Sequence, residues 1–211
     1  LQSALFMENK NYQEDLQHIR KMMEKSSRFI SLSGISGVFA GLFALAGAIY
    51  VYFFFKKNGV DYFEGTVKYY EKDIITHLVI VAMIIMVLAI SSGAYFTIKK
   101  SKAHHLQIWD ATTKKLLYNF AIPLGIGGLF CVGLLYHGLH GLLSPATLIF
   151  YGLALFNAGN YTFSDIKYLG LCEMALGIVS LFFLGYGLFF WAIGFGVLHI
   201  VYGIVMHKKY K

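Results

Sequence analysis

Glu173 and His199 are the residues whose types and spacing are best suited to acid–base chemistry. Glu173 lies inside the apolar run Tyr168 to Leu184, His199 lies inside the next apolar run, and both are equally far from Tyr186. An ionisable group at membrane depth costs about 2.5–3.5 kcal/mol on insertion scales, so it is normally paired or lines a cavity. On two antiparallel helices joined by a turn near Tyr186, this spacing predicts a buried pair, which could hold or relay a proton near neutral pH.

Small residues accompany both ionisable side chains at helical spacing. They are Gly170, Gly177 and Ser180 beside Glu173, and Ala192, Gly196 and Gly203 beside His199. Faces built of small residues let helices approach closely in a membrane. We therefore expect Glu173 and His199 to face protein and not lipid.

Further polar residues complete a predicted ligand or proton site with the pair. They are Asn119, Asn157, Asn160 and Tyr202. The asparagines fall in the cytoplasmic halves of their predicted spans, which suggests a polar cavity open toward the cytoplasm. The alternative is a set of interhelical hydrogen bonds that lock the bundle, each worth roughly 0.6 kcal/mol. Both interpretations remain open from the sequence.

A second cluster of titratable residues is predicted at the opposite membrane face. His77, His137 and His140 fall at one level there, and three imidazoles could bind Zn²⁺. Polar residues at the level of the lipid headgroups are the simpler interpretation. No other histidine within a span matches the depth of His199, as a haem with two axial histidines requires. With no nucleophilic triad, phosphate loop or metalloprotease helix in the sequence either, we expect no cofactor and no enzymatic activity.

The composition of the 211 residues indicates an all-α integral membrane protein. The chain is 57% hydrophobic and 14% charged, against about 25% charged residues in soluble domains. Charged residues gather in short blocks between apolar runs of about 20 residues, the length of a membrane-spanning helix. The net charge of +7 suits anionic lipid headgroups beside the spans, and we expect no nucleic-acid partner.

The pattern predicts two regions and six spans. Residues 1–28 form an N-terminal cytoplasmic region whose amphipathic helix, Asn11 to Arg28, lies on the membrane or binds a partner. Residues 29–211 form a six-helix bundle built of three helical hairpins, and Ser144-Pro145 opens the fourth span. The predicted spans are Phe29–Phe55, Ile75–Ile98, Leu116–Tyr136, Ser144–Gly159, Tyr168–Leu184 and Leu188–Met206.

Basic residues predict the orientation of these spans. With the N-terminus inside, the inner segments hold fourteen Lys and Arg residues and the outer loops hold four, so both termini should be cytoplasmic. Gly37 and Gly41 form a small-xxx-small motif that would serve packing within the bundle or a homodimer equally well. Glycine-rich segments also recur early in the odd-numbered spans, through either a threefold duplication of hairpins or shared composition alone.

Two segments carry a resemblance to a known family. They are Ile19-Arg20-Lys21-Met22-Met23-Glu24-Lys25-Ser26-Ser27-Arg28-Phe29, which leads into Ser31-Leu32-Ser33-Gly34, and the closing Gly194-Phe195-Gly196-Val197-Leu198-His199-Ile200-Val201-Tyr202-Gly203. Together they resemble a family of uncharacterised six-span bacterial membrane proteins, over most of the chain. The resemblance implies a bacterial inner membrane and supplies no activity, substrate or catalytic residue.

These observations predict a binding, sensing or accessory protein of the membrane, with a polar site in the cytoplasmic half of the bundle. The alternative is a small proton-coupled transporter or channel that uses Glu173 and His199. Transporter sites usually sit on discontinuous helices, and the sequence shows no span visibly broken in mid-membrane. An intramembrane enzyme is the third alternative. A membrane-complex partner or a second copy of the chain is compatible with each.

Overall fold

The computed structural model describes residues 33–59, 71–103 and 108–210, and within these ranges the regular secondary structure is entirely helical. The first five long helices are α1 Gly34–Lys57, α2 Lys72–Ala103, α3 Ala111–Tyr136, α4 Leu143–Ala158 and α5 Asp165–Phe182. A 3₁₀ turn, His140–Leu142, precedes α4. The predicted N-terminal amphipathic helix, and with it the region 1–28, lies outside the described residues.

The sixth span, Leu184–Lys209, is helical throughout but changes type along its length. It opens with a 3₁₀ turn, Leu184–Tyr186, where the sequence predicts the turn between the last two spans. A short helix α6, Gly187–Trp191, leads into a π-helical segment, Ala192–Leu198, and the span ends as α7, His199–Lys209.

Five segments of the structure are long and apolar enough to cross a membrane. They are α1, α2, α3, His140–Ala158 and the sixth span. The remaining helix, α5, has 18 residues, which is about 27 Å at 1.5 Å per residue and close to the thickness of a hydrocarbon core. Its 18 residues include three charged ones, Asp165, Lys167 and Glu173, whereas each of the other five segments contains an equally long stretch with at most two. Length and composition therefore indicate a membrane protein with several candidate spans.

The helices pack side by side in the order α2, α1, sixth span, α4 and α3, and α5 packs on both α4 and the sixth span. Helix α2 packs on α1, α1 packs on the sixth span, and the sixth span also contacts α4 and α5. Helix α4 shares a large interface with α5 and a second one with α3. Thus α2 and α3 lie at opposite edges of the described bundle, and α2 buries only Ser101. Helix α5, predicted to pair with the sixth span, has its main interface with α4.

Glycines allow the closest helix approaches in the bundle. A Cβ built on Gly41 of α1 would lie 2.6 Å from the carbonyl oxygen of Gly196 in the sixth span. Gly152 of α4 and Gly170 of α5 face each other, and a Cβ on either would lie 2.6 Å from the other's carbonyl oxygen. The small-xxx-small motif at Gly41 therefore serves packing within the bundle, one of the two uses that the sequence left open.

The start of α4 differs from the sequence prediction. The helix begins at Leu143 and not after a capping Ser144. The Ser144 hydroxyl instead donates a hydrogen bond of 2.6 Å to the carbonyl oxygen of Gly187. The 3₁₀ turn before Leu143 leads directly into the helix, so Ser144 is free to tie α4 to the beginning of the sixth span.

Candidate functional site

The site is built around Glu173, whose side chain has no solvent exposure. Glu173 lies halfway along α5, and Gly170, Gly177 and Ser180 are buried on the same face as the sequence pattern predicts. That face packs against α4, where the Gly152–Gly170 contact brings the two backbones together. The carboxylate is thus held in the interior, between α4, α5 and the sixth span.

His199 meets Glu173 from the sixth span. Its Nδ1 lies 3.3 Å from Oε1 of Glu173 and 3.0 Å from the carbonyl oxygen of Gly194, and the histidine is 6% exposed. The carbonyl of Gly194 can only accept a hydrogen bond, so Nδ1 carries the proton of that bond. Among the described residues neither carboxylate oxygen of Glu173 has a hydrogen-bond partner of good geometry.

Tyr151 of α4 joins the pair on its other side. Its hydroxyl lies 2.9 Å from Nε2 of His199, and with Nδ1 protonated a neutral imidazole accepts this hydrogen bond from the tyrosine. The ring of Tyr151 also packs against Phe195 with centroids 4.9 Å apart. The result is a carboxylate–imidazole–phenol series, Glu173, His199 and Tyr151, which we call the buried triad.

Gly194 and the π-helical segment shape the contact between the two helices. A Cβ on Gly194 would lie 2.5 Å from Oε2 of Glu173 and 2.4 Å from Cδ2 of Leu148. The carboxylate can approach the sixth span only because residue 194 is a glycine. The π-helical turn immediately precedes His199, and such turns are frequent at functional sites. The sequence did not predict this π-helical segment, although the sixth span remains helical throughout.

Comparison with known proteins adds no further constraint on this arrangement. A scan against protein-family models finds no match, and searches of curated proteins and of solved structures find no significant match. The resemblance to six-span bacterial proteins stays a prediction.

The buried triad is suited to holding one proton between Glu173 and His199. With one shared proton the pair is neutral overall, whether the proton lies on the carboxylate or on the imidazole. Removing it, or adding a second, leaves an unpaired charge among buried residues, which costs several kcal/mol. The Tyr151 hydroxyl can donate a hydrogen bond to Nε2 of His199 or accept one from it, so this hydrogen bond persists in both protonation states of the imidazole. The arrangement can therefore bind a proton or pass one along.

The three predicted asparagines are not brought to the buried triad. Asn119 donates to the carbonyl oxygen of Lys115 on its own helix, at 2.8 Å, and α3 lies at the edge of the described bundle. Asn157 is half-buried near the end of α4, and Asn160 is exposed in the turn that follows. The contacts found among the described residues do not join them into a polar cavity.

Tyr202 lies one helical turn beyond His199 and is partly buried. It packs with Tyr151 against a core cluster of Leu155, Ile166 and Leu169. The Tyr202 hydroxyl is buried without a hydrogen-bond partner among the described residues. A buried hydroxyl usually has a partner, so this one needs an explanation.

The three outer histidines do not meet. Nε2 of His77 lies 2.9 Å from the Tyr50 hydroxyl, and its ring stacks on Phe54 with centroids 4.2 Å apart. His137 is exposed after α3, and His140 lies in the 3₁₀ turn before α4. In the described part of the chain no group of three or more His, Cys, Asp or Glu residues could hold a metal ion. The described structure therefore does not bring the three histidines together for a shared zinc ion, because α2 and α3 lie at opposite edges of the described bundle.

A cluster that the sequence analysis missed closes the end of the bundle at which the sixth span finishes, the Lys209 end. Asp165 accepts hydrogen bonds from Lys209, at 2.9 Å to each carboxylate oxygen, and from the Tyr210 hydroxyl at 2.5 Å. Lys100 of α2 donates to the carbonyl oxygen of Tyr210 at 3.0 Å. Burial, and then the hydrogen bond to Asp165, raise the pKa of Tyr210. We call these four residues the terminal cluster.

Proposed function

We propose that this chain is a multi-pass membrane protein that holds a proton at the buried triad, in a binding, sensing or accessory role. The observation that supports this most directly is the contact of 3.3 Å between the fully buried Glu173 and His199. A carboxylate facing an imidazole that is itself hydrogen-bonded to a phenol is an arrangement suited to taking up and releasing a proton.

Packing around Glu173 favours a proton over a larger ligand. Oε2 lies against Gly194, and the side chain of Leu148, which is itself fully buried, fills the space beside it. Oε1 faces the imidazole of His199. A bound molecule would have to displace Leu148 or separate the pair, whereas a proton needs neither change.

The membrane setting that we propose follows from the sequence. The excess of fourteen basic residues against four supports cytoplasmic termini, with the Lys209 end of the bundle inside. The basic segments there would meet anionic headgroups of a bacterial inner membrane. The interfacial N-terminal helix and the arrangement of six spans as three hairpins belong to the same proposal.

Infrared difference spectroscopy of the reconstituted protein tests the proton site. We expect a carboxyl band whose intensity depends on pH in the wild-type protein and which is absent in Glu173→Gln. Glu71→Gln is the matched control, because Glu71 is exposed. A band that persists unchanged in Glu173→Gln, or a Glu173 signal that is constant with pH, would show a fixed structural pair.

Proton-coupled transport is the second candidate function, and the π-helical segment beside the pair favours it. Irregular helices beside a buried ionisable residue are a recurrent feature of transporter sites. Vesicles that contain the protein should then show a flux or a response to a pH gradient that Glu173→Gln abolishes and Glu71→Gln retains. A silent wild-type protein with a titrating carboxyl band would favour the sensing or binding role.

A further inference from the structure

The two ends of the bundle differ in what separates them from the buried triad. At the end where the sixth span begins, the Leu184 end, Ser144 ties α4 to Gly187 by a hydrogen bond of 2.6 Å. A Cβ on Gly177 would lie 3.0 Å from the carbonyl oxygen of Pro145 and from Cβ of Leu148. Helices α4 and α5 thus pack closely on this side of Glu173, as they also do at Gly152 and Gly170 on its other side, so the difference between the two ends lies in their polar side chains.

Ser180 is the nearest buried polar side chain on α5 toward the Leu184 end, and its hydroxyl has no partner among the described residues. It is seven residues from Glu173, which is about 10 Å along a helix. Gly177 lies between them, against Leu148 and Ile149. This apolar stretch exceeds the reach of a hydrogen bond, so Ser180 does not extend the buried triad.

Toward the Lys209 end the next buried polar group is much nearer. Tyr202 follows His199 by one helical turn and packs against the same core cluster as Tyr151. That cluster includes Ile166, the residue next to Asp165 on α5. The Tyr202 hydroxyl therefore lies between the buried triad and the terminal cluster. It can both donate and accept a hydrogen bond, and no described residue forms one with it.

The terminal cluster connects this hydroxyl to the surface. The Asp165 side chain is 21% exposed and its partner Lys209 is 54% exposed, so protons from solution can reach the carboxylate. The titratable and charged groups on this route are Asp165 of α5, Tyr210 after α7, Tyr202 and His199 of α7, Tyr151 of α4 and Glu173. Helices α4, α5 and α7 each contribute to this route, and α3 meets the same core cluster through Phe120, which has no titratable group.

We propose that Tyr202 passes protons between the buried triad and the Lys209 end, and that the Leu184 end has no matching route. The inference rests on the proposed function and adds the end of the bundle from which protons reach the buried triad. Tyr202 accepts a proton from the side of Asp165 and gives its own to the Tyr151 hydroxyl, directly or through one bound water. Tyr151 in turn gives its proton to Nε2 of His199, and the Nδ1–H of His199 gives its proton to Oε1 of Glu173, 3.3 Å away. One proton enters, one O–H or N–H bond breaks for each that forms, and no co-reactant is needed.

The test is a rapid pH jump on one side of vesicles that hold the full chain in one orientation. The readout is the rate and the end point of the infrared carboxyl band of Glu173. In Tyr202→Phe we expect the rate after a jump at the Lys209 end to fall by about tenfold or more, because one positioned acid–base group is lost. The end point should stay unchanged. Tyr168→Phe should respond like wild type, because Tyr168 is 68% exposed on α5.

Two further measurements complete the experiment. Tyr202→His, which restores a side chain that carries a proton, should recover part of the lost rate. A pH jump at the Leu184 end should change the Glu173 carboxyl band only at the slow rate at which protons leak through the vesicle membrane. Equal rates in wild type and Tyr202→Phe, or an equally fast response from the Leu184 end, would overturn the route and leave the proton site intact. The absence of any pH-dependent Glu173 band would overturn the proposed function itself.

Discussion

Gly194 and Glu173 are in direct contact across the interface of α5 and the sixth span, so that a Cβ on Gly194 would lie 2.5 Å from Oε2 of Glu173. The same glycine offers its carbonyl oxygen to Nδ1 of His199 at 3.0 Å. One residue of the π-helical segment therefore both admits the carboxylate and orients the imidazole. The buried triad depends on this position as much as on its ionisable members.

Gly194→Ala should destabilise the bundle and separate Glu173 from His199. The added methyl group would meet Oε2 of Glu173 and Cδ2 of Leu148, and overpacking of this kind costs about 1–3 kcal/mol. The measurement is the melting temperature in detergent. Gly125→Ala is the matched control, since no atom lies within 4 Å of its Cβ position, and it should be neutral or slightly stabilising. Equal effects of the two variants would contradict the contact.

A double-mutant cycle should detect the coupling between Glu173 and His199. Glu173→Gln and His199→Gln should show an interaction free energy of about 0.5–3 kcal/mol in unfolding titrations, as contacting residues do. For comparison, Glu173→Gln combined with His77→Gln should be additive within about 0.5 kcal/mol, because His77 is paired with Tyr50 on α1. Additivity in the first cycle would argue against a stabilising pair.

Gly41→Leu should disrupt the packing of α1 on the sixth span within one chain. Its Cβ would lie 2.6 Å from the carbonyl oxygen of Gly196 and 2.7 Å from Cγ1 of Ile200. We expect a loss of about 3 kcal/mol or more in stability, since a leucine extends the clash further. Gly93→Leu is the control, because no atom lies within 4 Å of the Gly93 Cβ position. A variant that keeps its melting temperature and loses only a dimer would contradict the packing.

Asp110 should make the start of α3 sensitive to acid. Hydrogen bonds from the side chain and the backbone N–H of Thr113 hold the pKa of Asp110 below its ordinary value. A lowered pKa in the folded state means that the stabilisation is complete above about pH 4 and is lost as the pH falls through the folded-state pKa.

In melting experiments at several pH values, Asp110→Ala should cost about 1 kcal/mol above pH 4. It should also remove the part of the acid destabilisation that Asp110 contributes. Asp110→Asn retains the cap and should remove the same pH step. Identical acid profiles of wild type and both variants would exclude a role for this cap in acid stability.

The proposed orientation can be tested with single cysteines. In a Cys131→Ser, Cys172→Ser background, Lys57→Cys should react with an impermeant maleimide only from outside the cell. Lys208→Cys should react only after the inner face is exposed. The predicted inner segments hold fourteen Lys and Arg residues and the outer loops hold four. Segments rich in basic residues are normally retained in the cytoplasm. Labelling of Lys208→Cys in intact cells would reverse the assignment.

The sequence by itself was sufficient to predict the apolar helical spans and the common depth of Glu173 and His199. Apolar runs of the right length specify spans whatever their neighbours, because each helix satisfies its own backbone in a membrane. Glu173 and His199 are equally far from a turn in one continuous stretch, so the 1.5 Å rise of a helix was enough to place them at one level. The small residues beside Glu173 also predicted which face of α5 is buried.

Only the tertiary structure decided which other helices reach the pair. Tyr151 belongs to α4, and its place beside His199 depends on interfaces between helices that the sequence does not specify. The same interfaces send Asn119 to one edge of the bundle and separate His77 from His137. The π-helical turn, too, coincides with a contact between Gly194 and a carboxylate on another helix. Local composition and periodicity determined the spans and their depth, while packing between distant segments decided the chemistry that meets at Glu173.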